Sequence, residues 1–168
     1  MNLLDCLLPA PLHRVLIRLA HAVRTQVWKL RRSRLDGVRV LALDPQGRVL
    51  LVRHSYGSDK WMPPGGGMKR GEDPVPTGAR ELLEETACTL HDGRLIAVSG
   101  EDLHGARNFV NVVAGHTRDT PVADRREIIE ARFFALDALP EHMSPRLRSL
   151  VVDWVVEAGF AGRGAGPV

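Results

Sequence analysis

The sequence contains few cysteines and lacks a long uninterrupted apolar run, and each absence excludes a class of protein. Its two cysteines, Cys6 and Cys88, provide neither a disulfide framework nor zinc-ligand spacing. Basic residues interrupt the first apolar stretch well before the ~20 apolar residues of a membrane-spanning helix. The first charged residue is Asp5, so the stretch lacks the positive leading region of a secretory signal. These absences predict a cytoplasmic protein.

The seven histidines are scattered, and none is paired with another at metal-ligand spacing. A histidine-based metal site is therefore not indicated. The 168 residues are 44% apolar and 26% charged, which is ordinary for a globular chain. Length and composition together predict one domain with an appendage.

That appendage comprises residues 1–35, which carry seven Lys or Arg residues and one acid, whereas the remainder is net acidic. Its apolar residues recur at helical spacing and predict a basic amphipathic helix: Leu12, Val15, Leu16, Leu19, Val23, Val27 and Leu30. In order of preference, this helix docks on its own domain or pairs with a second copy in a homodimer, lies on an anionic membrane surface, or contacts nucleic acid. Nucleic acid is the least favoured partner.

Alternating strand and helix patterns predict an α/β fold over residues 36–158. Five strands are expected at residues 38–43, 49–53, 94–99, 109–114 and 131–135. A helix is expected at residues 145–157, with these residues on its buried side: Leu147, Leu150, Val151, Trp154 and Val155. The glycine-rich segment 159–168 is predicted to be a flexible tail.

A second helix is predicted over residues 75–88, after an N-cap at Asp73 and a proline at the first helical position. Its expected packed side comprises Val75, Ala79, Leu82, Leu83 and Thr86. Three glutamates at spacing i, i+3, i+4 share a face nearly opposite that side: Glu81, Glu84 and Glu85. The helix therefore presents a packed side and an acidic side.

Such carboxylates can hold Mg²⁺, which takes oxygen ligands and is usually bound by one or two carboxylates together with substrate phosphates. The competing interpretation is a solvated helix face with Arg80 and Glu84 as an ordinary ion pair. Energy does not exclude that interpretation, because like charges at this spacing cost only about 0.2–0.5 kcal/mol per pair.

Residues 66–85 read GGMKRGEDPVPTGARELLEE, with Gly66, Glu72 and Arg80 separated by five and seven residues. This pattern resembles the Nudix box, except that Ala87 stands where the box has glycine. The box glycine would suit a left-handed helix end. The resemblance implies an α/β/α sandwich with a mixed sheet. It also implies a Mg²⁺-dependent hydrolase, with Mn²⁺ as an alternative ion, that cleaves a diphosphate linkage by water attack.

The resemblance also implies roles for individual residues. Oxygen ligands for the metal would come from Glu81, Glu84, Glu85, the carbonyl of Gly65, and either Glu127 or Glu130. Glu81 is alternatively the general base, while Arg80 would orient a neighbouring glutamate and Glu72 would assist from the loop. Between Glu127 and Glu130 the sequence leaves the choice open.

A loop over residues 54–67 precedes the helix and ends in three glycines. Gly66 and Gly67 would let the backbone approach a phosphate closely. Trp61 either contacts the substrate or anchors the loop against the sheet. Cys88, the last residue of the predicted helix, is expected to pack as a small buried apolar residue.

The sequence does not identify the substrate. By the resemblance, ADP-ribose hydrolases often carry a proline after the box, but residues 100–104 contain none. Dinucleoside polyphosphate hydrolases often carry a tyrosine slightly further on, but the only tyrosine, Tyr56, lies upstream of the box. Nucleoside di- and triphosphates, nucleotide sugars and related small diphosphates remain. The alternative is a non-catalytic Nudix-fold module that binds a nucleotide or regulates. The intact set Glu81, Glu84 and Glu85 favours the enzyme.

Overall fold

The computed structural model describes residues 35–69, 71–103, 106–125 and 127–160. The predicted basic helix lies outside these residues, apart from Leu35, which begins the first strand. Residues 161–168 of the predicted tail also lie outside them. Within the described ranges, none of the helices has the length and apolar character needed to cross a bilayer.

The described chain contains six strands and two α-helices in an order close to the predicted one. They are β1 (Leu35–Leu43), β2 (Val49–His54), β3 (Gly67–Met68), α1 (Pro74–Thr86), β4 (His91–Leu103), β5 (Ala106–His116), β6 (Ile128–Phe134) and α2 (Pro145–Glu157). The predicted bounds of α2 are confirmed. The strands β4 and β5 are longer than expected, and the two-residue β3 was not predicted.

The strands form one mixed sheet in the order β4-β5-β1-β2-β6, with β3 paired to β1. β1 and β5 run parallel, and the other neighbouring pairs are antiparallel. Successive side chains of β1 point to opposite faces, as strand geometry requires. Leu41 packs in the core cluster of α2, and Val40 packs in that of α1. The predicted α/β/α sandwich with a mixed sheet is confirmed.

α1 is rotated relative to the prediction. Leu83, expected on the packed side, is 53% exposed, whereas Glu85, expected on the acidic side, is only 8% exposed. Gly78 explains the rotation, because a Cβ there would lie 3.0 Å from a methyl group of Val40. Without that Cβ the helix rests on the sheet along the line of Gly78, Leu82 and Glu85.

The two ends of α1 follow the sequence signals. A side-chain oxygen of Asp73 accepts a hydrogen bond from the Val75 N–H at 2.9 Å. At the other end Ala87 has a left-handed conformation, with φ of 57°, and its N–H donates to the Leu83 carbonyl at 2.9 Å. Ala87 therefore takes the conformation for which glycine is the usual residue. Cys88 follows and is fully buried, as expected.

The first two residues of the predicted tail belong to the folded domain, which corrects the boundary at residue 159. Gly159 has φ of +69° and donates to the Val156 carbonyl at 3.0 Å, and Phe160 donates to the Val155 carbonyl at 3.0 Å. This pair of bonds is the Schellman ending of a helix. The Phe160 ring packs against the core cluster beneath α2.

Candidate functional site

The loop that ends in Gly65, Gly66 and Gly67, here called the glycine loop, is hydrogen-bonded to β1. The Val40 N–H donates to the Pro64 carbonyl at 2.8 Å, and the Val38 N–H donates to the Gly66 carbonyl at 2.9 Å. Gly65 between them has φ of +149°, and a Cβ there would lie 2.1 Å from the Val38 carbonyl oxygen. Only glycine fits this position. The loop therefore presents a rigid backbone to α1.

Glu85 meets this backbone from the helix side. Its Oε2 accepts a hydrogen bond from the Gly65 N–H at 3.1 Å. Burial is the main cause that raises the pKa of Glu85 to about 8, against the opposing effect of the Gly65 hydrogen bond. The negative charges of Glu81, Glu127 and Asp124 contribute to the same rise. Glu85 is therefore a buried carboxyl group among other carboxyl groups.

Glu81 lies one helical turn before Glu85 and packs on the second glycine of the loop. A Cβ on Gly66 would lie 2.5 Å from Oε2 of Glu81. The other oxygen of Glu81 pairs with Arg80 at 2.8 Å. Burial raises the pKa of Glu81, Arg80 opposes this shift, and the charges of Glu84 and Glu127 add to it.

Arg80 lies at the exposed edge of the carboxyl groups. Its second terminal nitrogen pairs with Glu84 at 3.1 Å, where the Glu84 side chain is 60% exposed. Burial lowers the pKa of Arg80, but the charges of Glu81, Glu84 and Glu72 outweigh it and raise the pKa overall. Glu72 accepts a hydrogen bond from the Lys69 N–H at 2.9 Å, within the loop before α1. The Arg80 guanidinium therefore pairs with both Glu81 and Glu84, while the charge of Glu72 acts on it without a described contact.

The two later glutamates have different surroundings. Glu127 accepts a hydrogen bond from the Tyr56 hydroxyl at 3.2 Å, and its charge acts on the carboxyl groups of α1. Glu130 instead pairs with Arg53 at 3.3 Å and Arg132 at 2.8 Å. Of the two, the charge of Glu127 acts on the carboxyl groups of α1, whereas Glu130 is paired with two arginines.

Two residues near Glu127 were missed by the sequence reasoning. The sequence indicates only that Tyr56 lies upstream of the box, and it assigns no role to Asp124. Asp124 accepts hydrogen bonds from the N–H groups of Glu127 at 3.0 Å and Ile128 at 2.8 Å. An aspartate placed a few residues before a strand is a recognisable turn signal, so Asp124 could have been found. Tyr56 had no such signal, because its contact spans 71 residues.

Trp61 lies in the core, which favours the anchoring alternative over substrate contact. Its side chain is 7% exposed and meets the Phe134 ring edge-on at 4.9 Å between centroids. The backbone N–H of Trp61 donates to the His142 carbonyl at 2.9 Å. Gly67, by contrast, is exposed in β3, where it pairs with Gly37 of β1. Of the three predicted substrate contacts, Gly66 and Gly67 remain candidates.

The donor set fits a hard divalent cation. All the gathered side chains offer carboxyl oxygens, the ligand type that Mg²⁺ prefers. Glu85 is buried, and its described hydrogen bond is to a neutral backbone N–H, so a nearby cation would stabilise its ionised form. Among the residues that the structure describes, no three His, Cys, Asp or Glu side chains are already arranged at metal-ligand distances.

A family model described as the NUDIX domain matches residues 33–154. Diphosphoinositol polyphosphate phosphohydrolase 2 of Mus musculus is 34% identical over 70 residues, which cover 42% of this chain and 39% of that protein. RNA pyrophosphohydrolase of Saccharophagus degradans is 37% identical over 68 residues, which cover 38% of this chain and 40% of that protein. The chain thus matches about two fifths of the length of these curated relatives.

The solved structure of a UDP-X diphosphatase is also similar. It superposes with a TM-score of 0.61 at 27% sequence identity. The superposition covers 79% of this chain and 66% of that chain.

Proposed function

The chain belongs to the Nudix family, and from that premise we propose that it is a Mg²⁺-dependent hydrolase of phosphorus-containing anhydrides. Its substrate would be a nucleoside diphosphate derivative, such as a nucleoside di- or triphosphate or a nucleotide sugar. Water would attack one phosphorus of the diphosphate, and the bond to the bridging oxygen would break.

The observation that carries this proposal is the burial of Glu85 beside the charges of Glu81 and Glu127. Burying a carboxylate without a counter-charge is costly, and like charges add to the cost. A divalent cation removes both costs together. A solvated acidic face, the competing interpretation, does not account for a glutamate that is 8% exposed and bonded to the glycine loop.

In the proposed site, Glu84, Glu85 and the Gly65 carbonyl would hold the ion, with Glu127 as a further ligand. When bound, Mg²⁺ neutralises charge that develops on the diphosphate and makes a nearby water easier to deprotonate. Glu81 would accept the proton from the attacking water or be a further ligand. Burial raises the pKa of Glu81, which is the direction that makes a carboxylate a better proton acceptor.

Arg80 and the loop position these groups. By pairing with Glu81 and Glu84, the Arg80 guanidinium reduces the repulsion between two neighbouring carboxylates. Glu72 adds charge on the loop side of the same guanidinium. The backbone at Gly66 and Gly67 would lie against the phosphates, since glycine permits the closest approach.

The names of the relatives support a diphosphate substrate in general without choosing among classes. One is a phosphohydrolase of diphosphoinositol polyphosphate, one a pyrophosphohydrolase of RNA, and one a diphosphatase of UDP-X. We place nucleoside diphosphate derivatives first, as nucleotide-linked diphosphates are shared by the second and third of these names.

A panel assay tests the proposal. Purified protein would be incubated with nucleoside triphosphates, nucleotide sugars, 5′-triphosphorylated RNA and a diphosphoinositol polyphosphate, with Mg²⁺ or with EDTA. We expect turnover of a nucleotide-linked member, dependent on Mg²⁺, with ¹⁸O from labelled water in one phosphate product. Tight binding of such a ligand without turnover would instead support the non-catalytic binding module.

A further inference from the structure

Among the residues that the structure describes, Glu127 is hydrogen-bonded to three residues outside α1. Its carbonyl accepts from the Ser55 N–H at 2.7 Å, and its N–H donates to Asp124 at 3.0 Å. Its carboxylate accepts from the Tyr56 hydroxyl at 3.2 Å. Two of the three partners come from the segment that follows β2, and one comes from the loop before β6.

An irregularity in β2 brings the segment after β2 to Glu127. The pairing of β2 with β6 shifts register between Arg53 and His54, so that His54 is opposite Ile128. Bulges of this kind redirect side chains and are frequent beside functional sites. Beyond the bulge, the rings of His54 and Tyr56 lie 5.5 Å apart, which supports the orientation of the phenol.

Electrostatic repulsion disfavours the position of the Glu127 carboxylate near the carboxyl groups of α1. Burial is the main cause of the raised pKa values of Glu81 and Glu85, and the negative charge of Glu127 adds to both, so each of these carboxylates, when ionised, repels that of Glu127. A glutamate side chain has several rotatable bonds and would turn toward water to escape that repulsion. The Tyr56 hydroxyl donates to one of its oxygens and opposes the escape.

We propose that Tyr56 is a positioning residue for the divalent cation, acting through Glu127. By holding Oε2 of Glu127, the phenol keeps that carboxylate beside those of Glu81 and Glu85 before the ion arrives. Ordering a ligand in advance lowers the cost of binding. The inference rests on the proposed function, because it presumes that these carboxylates share an ion.

The test is titration of the full chain with Mn²⁺ alone, with free ion measured by electron paramagnetic resonance. Tyr56→Phe removes only the hydroxyl, and we expect the Kd for Mn²⁺ to rise about tenfold, as is typical when a partner of a metal ligand is removed. Ser58→Ala is the matched control on the same segment, where the lost hydroxyl accepts from the exposed Lys60 N–H at 3.3 Å. Its Kd should equal that of the wild type.

A double-mutant cycle separates positioning from a general structural role. In a Glu127→Ala background, adding Tyr56→Phe should leave the Kd unchanged, because the phenol no longer has its carboxylate partner. A Tyr56→Phe Kd equal to that of the wild type, or an equal rise in both backgrounds, would overturn the inference alone. Failure of the wild type to bind Mn²⁺ at all would overturn the proposed function with it.

Discussion

At the scale of single residues, Glu85 joins burial, charge and function. It is 8% exposed, and its side chain bonds to the Gly65 N–H. Its pKa of about 8 lies above the ordinary value of 4.5, so the folded state favours the protonated form. That contribution to stability is complete below about pH 4.5 and is lost as the pH rises toward 8.

Glu85→Gln should remove this pH dependence. In EDTA, as the pH rises from about 4.5 toward 8, the free energy of unfolding of the wild type should fall relative to that of the variant. The fall should be up to about 1.4 kcal/mol per pH unit. Urea denaturation at pH 5, 6, 7 and 8 measures the difference. Saturating Mg²⁺ at pH 8 should stabilise the wild type but not the variant. Parallel pH profiles for the two proteins would show that Glu85 ionises as an ordinary glutamate.

Ala87 is strained where the family pattern has glycine. A left-handed backbone costs an L-residue about 1–2 kcal/mol. Glycine avoids this cost, but its greater conformational freedom in the unfolded state offsets part of the gain. Ala87→Gly should therefore raise the free energy of unfolding by about 0.5–1 kcal/mol, measured by urea denaturation. The control Ala79→Gly lies inside α1 and should lower it by about 1 kcal/mol. A loss of stability in Ala87→Gly would contradict the cap assigned here.

At the scale of elements, α1 shows what sequence periodicity can and cannot predict. The cap at Asp73 and the spacing of Glu81, Glu84 and Glu85 were readable, because both are local. The rotation that buries Glu85 and exposes Leu83 was not, because it depends on a tertiary contact of Gly78 with Val40 on β1. A periodicity argument counts apolar side chains and gives a glycine no weight. In α1, however, Gly78 determines which side of the helix packs on the sheet.

The glycine loop and α1 act as one unit, which Gly66→Ala would disturb. The new methyl group would lie 2.5 Å from the Glu81 carboxylate, so that this side chain must turn while the fold persists. We expect kcat to fall at least tenfold, with little change in melting temperature. Gly100→Ala, in β4 and outside the proposed site, is the matched control, since its Cβ would have no neighbour within 4 Å. Equal loss of kcat in both variants would show that the effect of Gly66→Ala does not depend on room for Glu81.

At the scale of the whole molecule, the sheet and both helices were predictable because their apolar patterns have clear periods. The predicted strands on either side of residues 44–47 and the bounds of α2 are local features of this kind. The pairing of Tyr56 with Glu127 and the core position of Trp61 were not predictable. Both depend on which strands become neighbours, and the order β4-β5-β1-β2-β6 places β2 beside β6 across a long separation in sequence.

The basic segment at the start of the chain gives a prediction for the intact protein. Residues 1–35 carry a net charge of +6, yet docking or self-association was preferred over membrane contact. The full-length chain should therefore remain in the supernatant when sedimented with anionic vesicles at 0.15 M salt. Neutral vesicles provide the control. If the protein sedimented with the anionic vesicles but not with the neutral ones, the segment would instead be assigned to a membrane surface.

The central claim is that carboxylates of α1 hold a divalent cation against a diphosphate. Its most direct test is the steady-state turnover of the best panel substrate by wild type and by Glu84→Gln combined with Glu85→Gln, across a Mg²⁺ titration. We predict that the double variant loses at least a thousandfold in kcat/KM, roughly 4 kcal/mol of transition-state stabilisation, while remaining folded by circular dichroism. Turnover by a folded double variant within a few fold of the wild type would contradict the claim.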